Sequence, residues 1–255
     1  MRWKPLSSPL CYLHLDMAIS LSILGYESKL SRMLNNLEGS RAFSEIVRMV
    51  KSGMLHSLHI DVMRPNLIPG RTRFRTDLIK ELYKRLGGEI PFRIHLMMKE
   101  PLRLLGEINR FIRGELRRDV SVILQREAYT SEDEMAREVE VARGMGYGVG
   151  VSLDLPSPLD LLGEVAVRRA DFVLLMTVPM GRGGQEYSPQ ANSRIAEFSR
   201  RFPGVPIWVD GGLKADNILA ARDAGASGFV VGSFITDSRN PLEALKRLRE
   251  ILDSG

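Results

Sequence analysis

The chain has 255 residues, a formal net charge of +5 and a hydrophobic content of 44%, which fits one large globular domain. The positive charge suits an anionic substrate. Basic and acidic residues are interspersed, without a basic block or an aromatic-interleaved stripe, which argues against nucleic-acid binding. No apolar segment approaches the roughly 20 residues that span a bilayer, so we expect no membrane insertion.

The single cysteine, Cys11, excludes an internal disulfide and predicts a cytoplasmic location, where the surroundings are reducing. Residues 1–16 precede the first strand-like segment and lack the long apolar stretch of a signal peptide. We therefore divide the chain into an N-terminal extension, residues 1–16, and one domain, residues 17–255.

Eight short apolar segments alternate with amphipathic ones from Ala18 onward. They are rich in Val, Ile and Leu and are bounded by Gly, Pro or Asp, as expected of strands buried on both faces. The predicted strands are Ala18–Leu24, Ser57–Met63, Phe92–Met97, Val120–Leu124, Gly148–Leu153, Phe172–Val178, Pro206–Val209 and Gly228–Val231.

The intervening segments have the spacing of helices. Met135, Val139 and Ala142 fall on one helical face, and Ser131 with Glu134 predicts a capping box at its start. Two further helices are indicated by Ile195, Phe198 and Phe202 and by Leu245, Leu248 and Leu252. The stretch between Leu24 and Leu58 is too long for one crossover, so we expect an extra turn or short helix there.

Strict alternation of strands and helices predicts parallel strands joined by right-handed crossovers. Eight such units in a chain of this length favour closure over an open sheet. The predicted fold class is therefore α/β, a single-domain (β/α)8 TIM barrel.

The second strand carries polar residues on one face only. Strand alternation places Leu58, Ile60 and Val62 toward the helices and places His59 and Asp61 inside the barrel, with Met63 beyond them. Barrel enzymes assemble their sites where the carboxyl ends of the strands meet, which we call the carboxyl rim. The pair alone is equally consistent with a hydrogen-bonded histidine beside a loop-ordering aspartate.

The third and seventh predicted strands add His95 and Asp210 at a similar height. Alone, His95 suits a core histidine with a satisfied ring, and Asp210 suits the start of a loop. With His59 and Asp61, these residues bring two imidazoles and two carboxylates together from three strands. They make a mixed nitrogen and oxygen ligand set. Such a set suits one divalent metal ion, which can be Zn²⁺, Fe²⁺, Mn²⁺ or Co²⁺.

Glycine clusters follow the last three predicted strands. They are Gly181–Gln185 with the basic Arg182, then Gly211–Gly212, then Gly232–Ser233. Glycine lets backbone N–H groups approach an anion, and barrels frequently hold phosphate near strands seven and eight. A single cluster also suits an ordinary turn, but three in successive loops indicate a phosphate site.

These segments, in this order, resemble the ribulose-phosphate 3-epimerase family over most of the chain after Met17. The segments that carry the resemblance are Ser22-Ile23-Leu24, Leu58-His59-Ile60-Asp61-Val62-Met63, His95-Leu96-Met97, Met176-Thr177-Val178, Gly183-Gly184-Gln185, Val209-Asp210-Gly211-Gly212, Ala224-Gly225-Ala226 and Val231-Gly232-Ser233. The combined order and spacing are specific, although no single segment is.

The resemblance implies roles for individual residues. The metal ligands are His59, Asp61, His95 and Asp210, and the two acid/base groups are Asp61 and Asp210. The residues that contact a phosphorylated ketose are Ser22, His59, His95, Gly183, Gly184, Gln185, Asp210, Gly211, Gly212, Gly232 and Ser233. The residues that line the reaction centre are Met63, Met97 and Met176.

The implied reaction inverts C3 of D-ribulose 5-phosphate to give D-xylulose 5-phosphate. A proton leaves one face and another returns to the opposite face, through a cis-enediolate that a Lewis acid stabilises. One carboxyl must be protonated while the other is ionised. The family resemblance also implies a homo-oligomer.

Departures from the family pattern lie at the predicted rim and put substrate specificity in doubt. The affected segments are Leu21, Met63-Arg64-Pro65, Ile68-Pro69-Gly70, Asp154-Leu155-Pro156-Ser157-Pro158 and Pro179-Met180-Gly181-Arg182. Arg64 reverses a charge beside the site, so we expect it to alter substrate fit or rate. Two alternatives stay open: a 3-epimerase for a longer ketose phosphate such as allulose 6-phosphate, and a non-catalytic phosphosugar-binding barrel.

Overall fold

A computed structural model describes residues 17–254, so the predicted extension at residues 1–16 lies outside the described residues. Eight parallel strands form a closed barrel in chain order, with the last strand paired to the first. The strands are β1 (Ala18–Ser22), β2 (Ser57–Met63), β3 (Phe92–Met97), β4 (Val120–Gln125), β5 (Gly148–Leu153), β6 (Phe172–Met176), β7 (Ile207–Asp210) and β8 (Gly228–Val231). The (β/α)8 TIM-barrel prediction is confirmed.

The predicted strand bounds hold for β2, β3, β5 and β8 and differ by one or two residues elsewhere. β1 ends at Ser22 because the chain turns into a 3-10 helix at Leu24. β4 and β7 each run one residue further than predicted, to Gln125 and Asp210, so both polar residues belong to strands rather than loops.

Ten α-helices surround the barrel within the described range. They are α1 (Glu27–Arg32), α2 (Arg41–Lys51), α3 (Thr76–Leu86), α4 (Pro101–Ile108), α5 (Glu132–Gly144), α6 (Glu164–Arg169), α7 (Ala191–Arg201), α8 (Ile218–Asp223), α9 (Ser233–Thr236) and α10 (Pro241–Ser254). Short 3-10 helices occupy Leu24–Tyr26, Leu34–Gly39, Gly114–Asp119, Arg126–Ala128 and Leu159–Leu161. None of the helices between residues 17 and 254 is both long and apolar enough to cross a membrane.

The first crossover contains the extra structure that its length predicts, since α1 and two 3-10 helices precede α2. At the start of α5, Ser131 Oγ accepts from the Glu134 amide at 3.2 Å. The Glu134 carboxylate binds Thr130 instead of closing back onto Ser131. The capping box is therefore half formed, with its return contact moved one residue upstream.

Strand alternation sorts the side chains as expected. Leu58, Ile60 and Val62 are fully buried in the layer between the strands and the helices. In the register between β2 and β3, Asp61 lies beside His95. Because residues on one face of a strand recur every second position, His59 and Asp61 both project into the barrel.

The amino end of the barrel interior is filled by Arg93, Phe172 and Trp208, which we call the basal cluster. The Arg93 guanidinium lies 3.5 Å from the centroid of the Trp208 ring and 4.4 Å from that of Phe172. A Cβ at Gly228 would lie 2.1 Å from Trp208, and one at Gly150 would lie 2.5 Å from Phe172. These two glycines therefore make room for the aromatic rings.

Candidate metal centre

Four polar side chains converge at the carboxyl rim. His59 and Asp61 come from β2, His95 from β3 and Asp210 from β7, and each offers an atom within 4.8 Å of the other three. The first three residues are buried and Asp210 is partly exposed. The four residues predicted from separate strands thus form one group, which we call the quartet.

Short contacts hold the quartet together. His59 Nε2 lies 3.1 Å from Asp61 Oδ1 and 3.7 Å from Asp210 Oδ2. His95 Nδ1 lies 3.6 Å from Asp61 Oδ1. Ser22 Oγ donates to the other Asp61 oxygen at 2.8 Å. Ser22, predicted to contact substrate, therefore lies beside the quartet and orients one of its carboxylates.

The two aspartates have opposite pKa shifts. Burial and the neighbouring Asp61 charge raise the pKa of Asp210 well above its usual range. For Asp61, burial also acts upward, but the charge and hydrogen bond of His59 and the contact with His95 outweigh it, so its pKa is lowered. Burial also lowers the pKa of His59, while the charge of Asp61 and its hydrogen bond act on it in the opposite direction. The two carboxyls are thus shifted in opposite directions, and Asp210 is the more readily protonated of the two.

The quartet has the properties of a divalent metal site. Among residues 17–254, His95 Nδ1 is buried without a hydrogen-bond partner and lies 3.6 Å from Asp61 Oδ1. Buried polar atoms are rarely left unpaired, and His95 Nδ1 faces a carboxylate that only a hydrogen or a cation can bridge. Two imidazoles with two carboxylates form the mixed donor set that zinc, iron, manganese and cobalt accept. The residues present fit such an ion.

An apolar cover lies over one side of the quartet. Met63 and Met97 are neighbours in the β2–β3 register and pack with Ile68 from the loop after β2. Leu24, Leu67 and Met180 complete this group as partly buried members. Met176, the third predicted lining methionine, packs instead with the inner barrel residues, beside Asp210 in the β6–β7 register.

The glycines after β7 have a packing role of their own. Gly211 and Gly212 have φ angles of +121° and +66°, which favour glycine. A Cβ at Gly212 would lie 2.2 Å from the Tyr187 amide nitrogen, and one at Gly211 would lie 2.4 Å from Val178. The close approach of the loops after β6 and β7 is therefore sufficient to require glycine at both positions, without any contribution from a ligand.

The loop after β6 is exposed at Gly183 and Gly184. The Gln185 side-chain amide donates to the carbonyls of Pro179 and Arg182, at 2.7 Å and 2.9 Å, and so braces this loop. Both of these contacts use the amide nitrogen of Gln185, so its donors are directed into the loop. Arg182 is exposed to solvent.

The last predicted phosphate segment adjoins the quartet through Ser22. Gly232 lies next to Ser22, because a Cβ added at Gly232 would be 3.6 Å from the Ser22 Cβ. Ser233 is the first residue of α9. The β8 loop therefore reaches the same rim as β1, as the closed barrel requires.

Arg64, expected to alter the charge at the site, has its guanidinium engaged elsewhere. It donates to the carbonyls of Met63, Arg73 and Phe74, at 2.9, 2.6 and 3.2 Å. Partial burial lowers the pKa of this guanidinium. These hydrogen bonds link the start of the loop after β2 to its end.

Two residues beside the quartet were not predicted. Gln125 is fully buried and contacts His95 Nε2 at 2.6 Å, and Glu127 contacts Gln125 in turn. Because the fourth strand was predicted to end at Leu124, Gln125 was not considered as an inward-facing residue. Extending the alternation from Ile123 by one inward position would have placed a polar side chain at the rim.

A closed (β/α)8 barrel with a polar quartet at its carboxyl rim belongs to the barrel enzymes that assemble their sites on that rim. Within that class the chain belongs to the ribulose-phosphate 3 epimerase family, whose sequence model matches residues 33–236. The chain is thus an isomerase of this family.

Curated relatives agree with this membership. Ribulose-phosphate 3-epimerase of Schizosaccharomyces pombe is 29% identical over 206 residues, covering 80% of this chain and 85% of the relative. The Escherichia coli K12 enzyme of the same name is 28% identical over 199 residues, covering 76% and 83%.

Among solved structures, 3-hexulose-6-phosphate synthase from Salmonella typhimurium superposes with a TM-score of 0.67 at 14% identity. The match covers 93% of this chain and 99% of that one. At that identity the likeness supports the fold alone.

Proposed function

We propose that this protein is a metal-dependent epimerase that interconverts D-ribulose 5-phosphate and D-xylulose 5-phosphate by inverting C3. The observation that carries the proposal is the quartet, in which two carboxyls with opposite pKa shifts adjoin two buried imidazoles. Membership of the epimerase family and the relatives' names support the choice of substrate.

Inversion at C3 needs one group to take a proton and another to return one on the opposite face. The ionised Asp61 serves as the base, and the protonated Asp210 serves as the acid, with the roles reversed for the other epimer. His59, Asp61, His95 and Asp210 would hold the metal ion. When bound, it supplies Lewis-acid stabilisation of the negative charge that develops on the sugar oxygens.

Substrate orientation follows from the arrangement of the rim. The backbone at Gly183–Gly184, Gly211–Gly212 and Gly232–Ser233 would bind the phosphate, because glycine loops present N–H groups to an anion. Met63 and Met97 follow Asp61 and His95 on the inward faces of β2 and β3 and would shield the reacting carbon from water. Ser22 contacts Asp61 and adjoins Gly232, so it lies between the acid/base pair and the phosphate loops.

The test is a coupled ribulose 5-phosphate assay on metal-reconstituted protein, with deuterium incorporation at C3 from heavy water as a second readout. Asp61→Asn and Asp210→Asn should each lower kcat by about 10²–10⁴-fold, the usual contribution of a general acid or base. Asp253→Asn, on the exposed face of α10, is the matched control. Unchanged turnover in either rim variant would reject the proton-transfer role of that residue.

A panel of ketose phosphates separates the remaining alternatives. Faster turnover of allulose 6-phosphate than of ribulose 5-phosphate would move the assignment to a longer substrate. Phosphate-dependent binding without deuterium incorporation for any sugar would identify a non-catalytic phosphosugar-binding barrel instead.

A cytoplasmic location and a homo-oligomeric assembly are part of the same proposal, supported by the sequence and by the family resemblance. A single cysteine in 255 residues is consistent with a reducing cytoplasm. A homo-oligomer is expected from the resemblance to the family. Light scattering coupled to gel filtration would measure the assembly directly, and a monomeric mass across the working concentration range would contradict it.

A further inference from the structure

The two imidazoles of the quartet differ in what lies behind them. Among the residues that the structure describes, the rear nitrogen of His59, Nδ1, has no hydrogen-bond partner. The rear nitrogen of His95, Nε2, lies 2.6 Å from Gln125 Oε1. Both His95 and Gln125 are fully buried, so water does not compete for this contact.

Glu127 determines which way the Gln125 amide faces. A Gln side chain has a donor end and an acceptor end, whereas a carboxylate only accepts. Because the Gln125 group beside Glu127 Oε2 must donate, it is the amide nitrogen, and the carbonyl oxygen must face His95.

Glu127 is itself held in place by the loop after β5. Its Oε1 accepts from the Asp154 amide at 3.0 Å and from the Ser157 hydroxyl. The Asp154 carboxylate in turn accepts from the Met180 amide at 2.8 Å, which joins this loop to the one after β6. Three donors are thus directed at the two oxygens of Glu127, which act only as acceptors in these contacts.

We propose that Gln125 and Glu127 are positioning residues that hold His95 in the tautomer with its proton on Nε2. The Nδ1 lone pair is then free and directed toward Asp61 Oδ1, 3.6 Å away, where the proposed metal would bind. This inference rests on the proposed function only for the identity of that metal site. Outer partners of ligating histidines commonly fix the ring tautomer, and their loss weakens metal binding by about 10–100-fold.

The first test is the tautomer of His95 in metal-free protein labelled with ¹⁵N-histidine, read by long-range ¹H–¹⁵N correlation. The chain has four histidines, so a His95→Gln sample suffices for assignment. Wild-type His95 should carry its proton on Nε2. A proton on Nδ1 in the wild type would overturn the proposal, whatever the variants do.

The second test compares Gln125→Met with a double variant that exchanges the amide and the carboxylate between positions 125 and 127. Methionine keeps the length of the side chain but replaces the amide oxygen with a thioether sulfur, which is only a weak acceptor, so His95 should populate both tautomers. Co²⁺ affinity, followed by visible absorption, should then fall by about 10–100-fold. In Gln125→Glu combined with Glu127→Gln, the new carboxylate accepts from His95, and the new amide donates to it and accepts from the loop. This double variant should restore both the tautomer and the Co²⁺ affinity.

The exposed Gln190→Met is the matched control and should leave both readouts unchanged. If Gln125→Met binds Co²⁺ as the wild type does, with His95 still protonated on Nε2, Gln125 merely fills space and the proposal is wrong. The tautomer is measured without metal or sugar. Protein that binds Co²⁺ but does not epimerise would therefore count against the proposed function alone.

Discussion

The two ends of the barrel interior use charged residues in opposite ways. At the amino end, the single guanidinium of Arg93 lies between the rings of Trp208 and Phe172, in contact with aromatic faces. At the carboxyl rim, His59 and Asp210 belong to a quartet whose polar groups face one another, and within residues 17–254 the inward-facing Nδ1 of His95 lacks a hydrogen-bond partner.

This difference separates stability from function within one core. The basal cluster resembles an ordinary packed interior, where a cation over aromatic faces stabilises the fold. The quartet brings two carboxyls together in a buried setting, which raises the pKa of Asp210 and costs folding free energy. Such local conflicts are expected at functional sites, where the groups are arranged for a ligand rather than for the free protein.

Chelation of the metal should produce the largest difference between the two ends of the barrel, because it should affect the carboxyl rim and leave the amino end unchanged. Removing the proposed metal should lower turnover by at least about 10³-fold, since the Lewis acid and the geometry of its ligands are lost together. In a Trp3→Phe background, where Trp208 is the remaining tryptophan, the fluorescence should not change. Activity and emission would be recorded before and after treatment with EDTA and after adding back divalent cations. Full activity in metal-free protein would contradict the metal assignment.

Trp208→Ala should have the largest effect on stability. Removing a buried indole from the basal cluster leaves a cavity and deprives Arg93 of its closest ring, with an expected loss of about 3–5 kcal/mol. Urea unfolding followed by circular dichroism would measure it, with Trp208→Phe as a milder comparison. If the loss is below about 1 kcal/mol, the basal cluster does not stabilise the barrel as proposed.

Gly228→Ala should lower stability by about 1–3 kcal/mol, because its Cβ would lie 2.1 Å from the Trp208 ring and would force the packed ring to move. Gly106→Ala in α4 is the matched control, since a Cβ there meets no atom within 4 Å. Alanine favours helix over glycine, so the control should be stabilised by up to about 1 kcal/mol. Equal effects of the two substitutions would show that space beside Trp208 is not what requires glycine.

The smallest effect concerns His56, whose ring centroid lies 5.6 Å from that of Trp208. Burial, with the nearby Arg93 charge, lowers the pKa of His56 from its usual 6.5 to about 4. Between pH 6.5 and 4 the unfolded chain therefore binds more protons, and stability falls as the pH falls. The residue has an exposed surface although its ring lies beside Trp208, so solvent screens the effect and the loss should be below about 1 kcal/mol.

The measurement is the difference in unfolding free energy between wild type and His56→Gln at pH 7 and pH 4.5. Taking the difference cancels the other groups that titrate in this range. The wild type should lose more stability than the variant on acidification. Parallel pH profiles would show that the ring is effectively solvated.

Local patterns predicted much of the barrel because a parallel strand buried on both faces is recognisable from its own residues. The bounds of β2 and β3 follow from continuous apolar runs between turn residues. Alternation also placed His59 and Asp61 inside, since every second residue of a strand shares a face.

The contacts behind the quartet could not be predicted in this way. Gln125 reaches His95 across 30 residues of sequence, and Glu127 accepts from Ser157 across another 30. Nothing in the local sequence of either partner indicates these distances. The engagement of Arg64 with three carbonyls was missed for the same reason, because its identity alone indicated only a charge near the site.

By itself, the sequence determined the eight strand and helix units, the faces of the strands and the chemical types available at their ends. These features depend on residues a few positions apart. Only the tertiary structure decided that β8 pairs with β1, that four distant side chains lie within 4.8 Å of one another, and which atom of Gln125 faces His95. Those outcomes depend on how the strands close around the core, which sets distances between residues far apart in the chain.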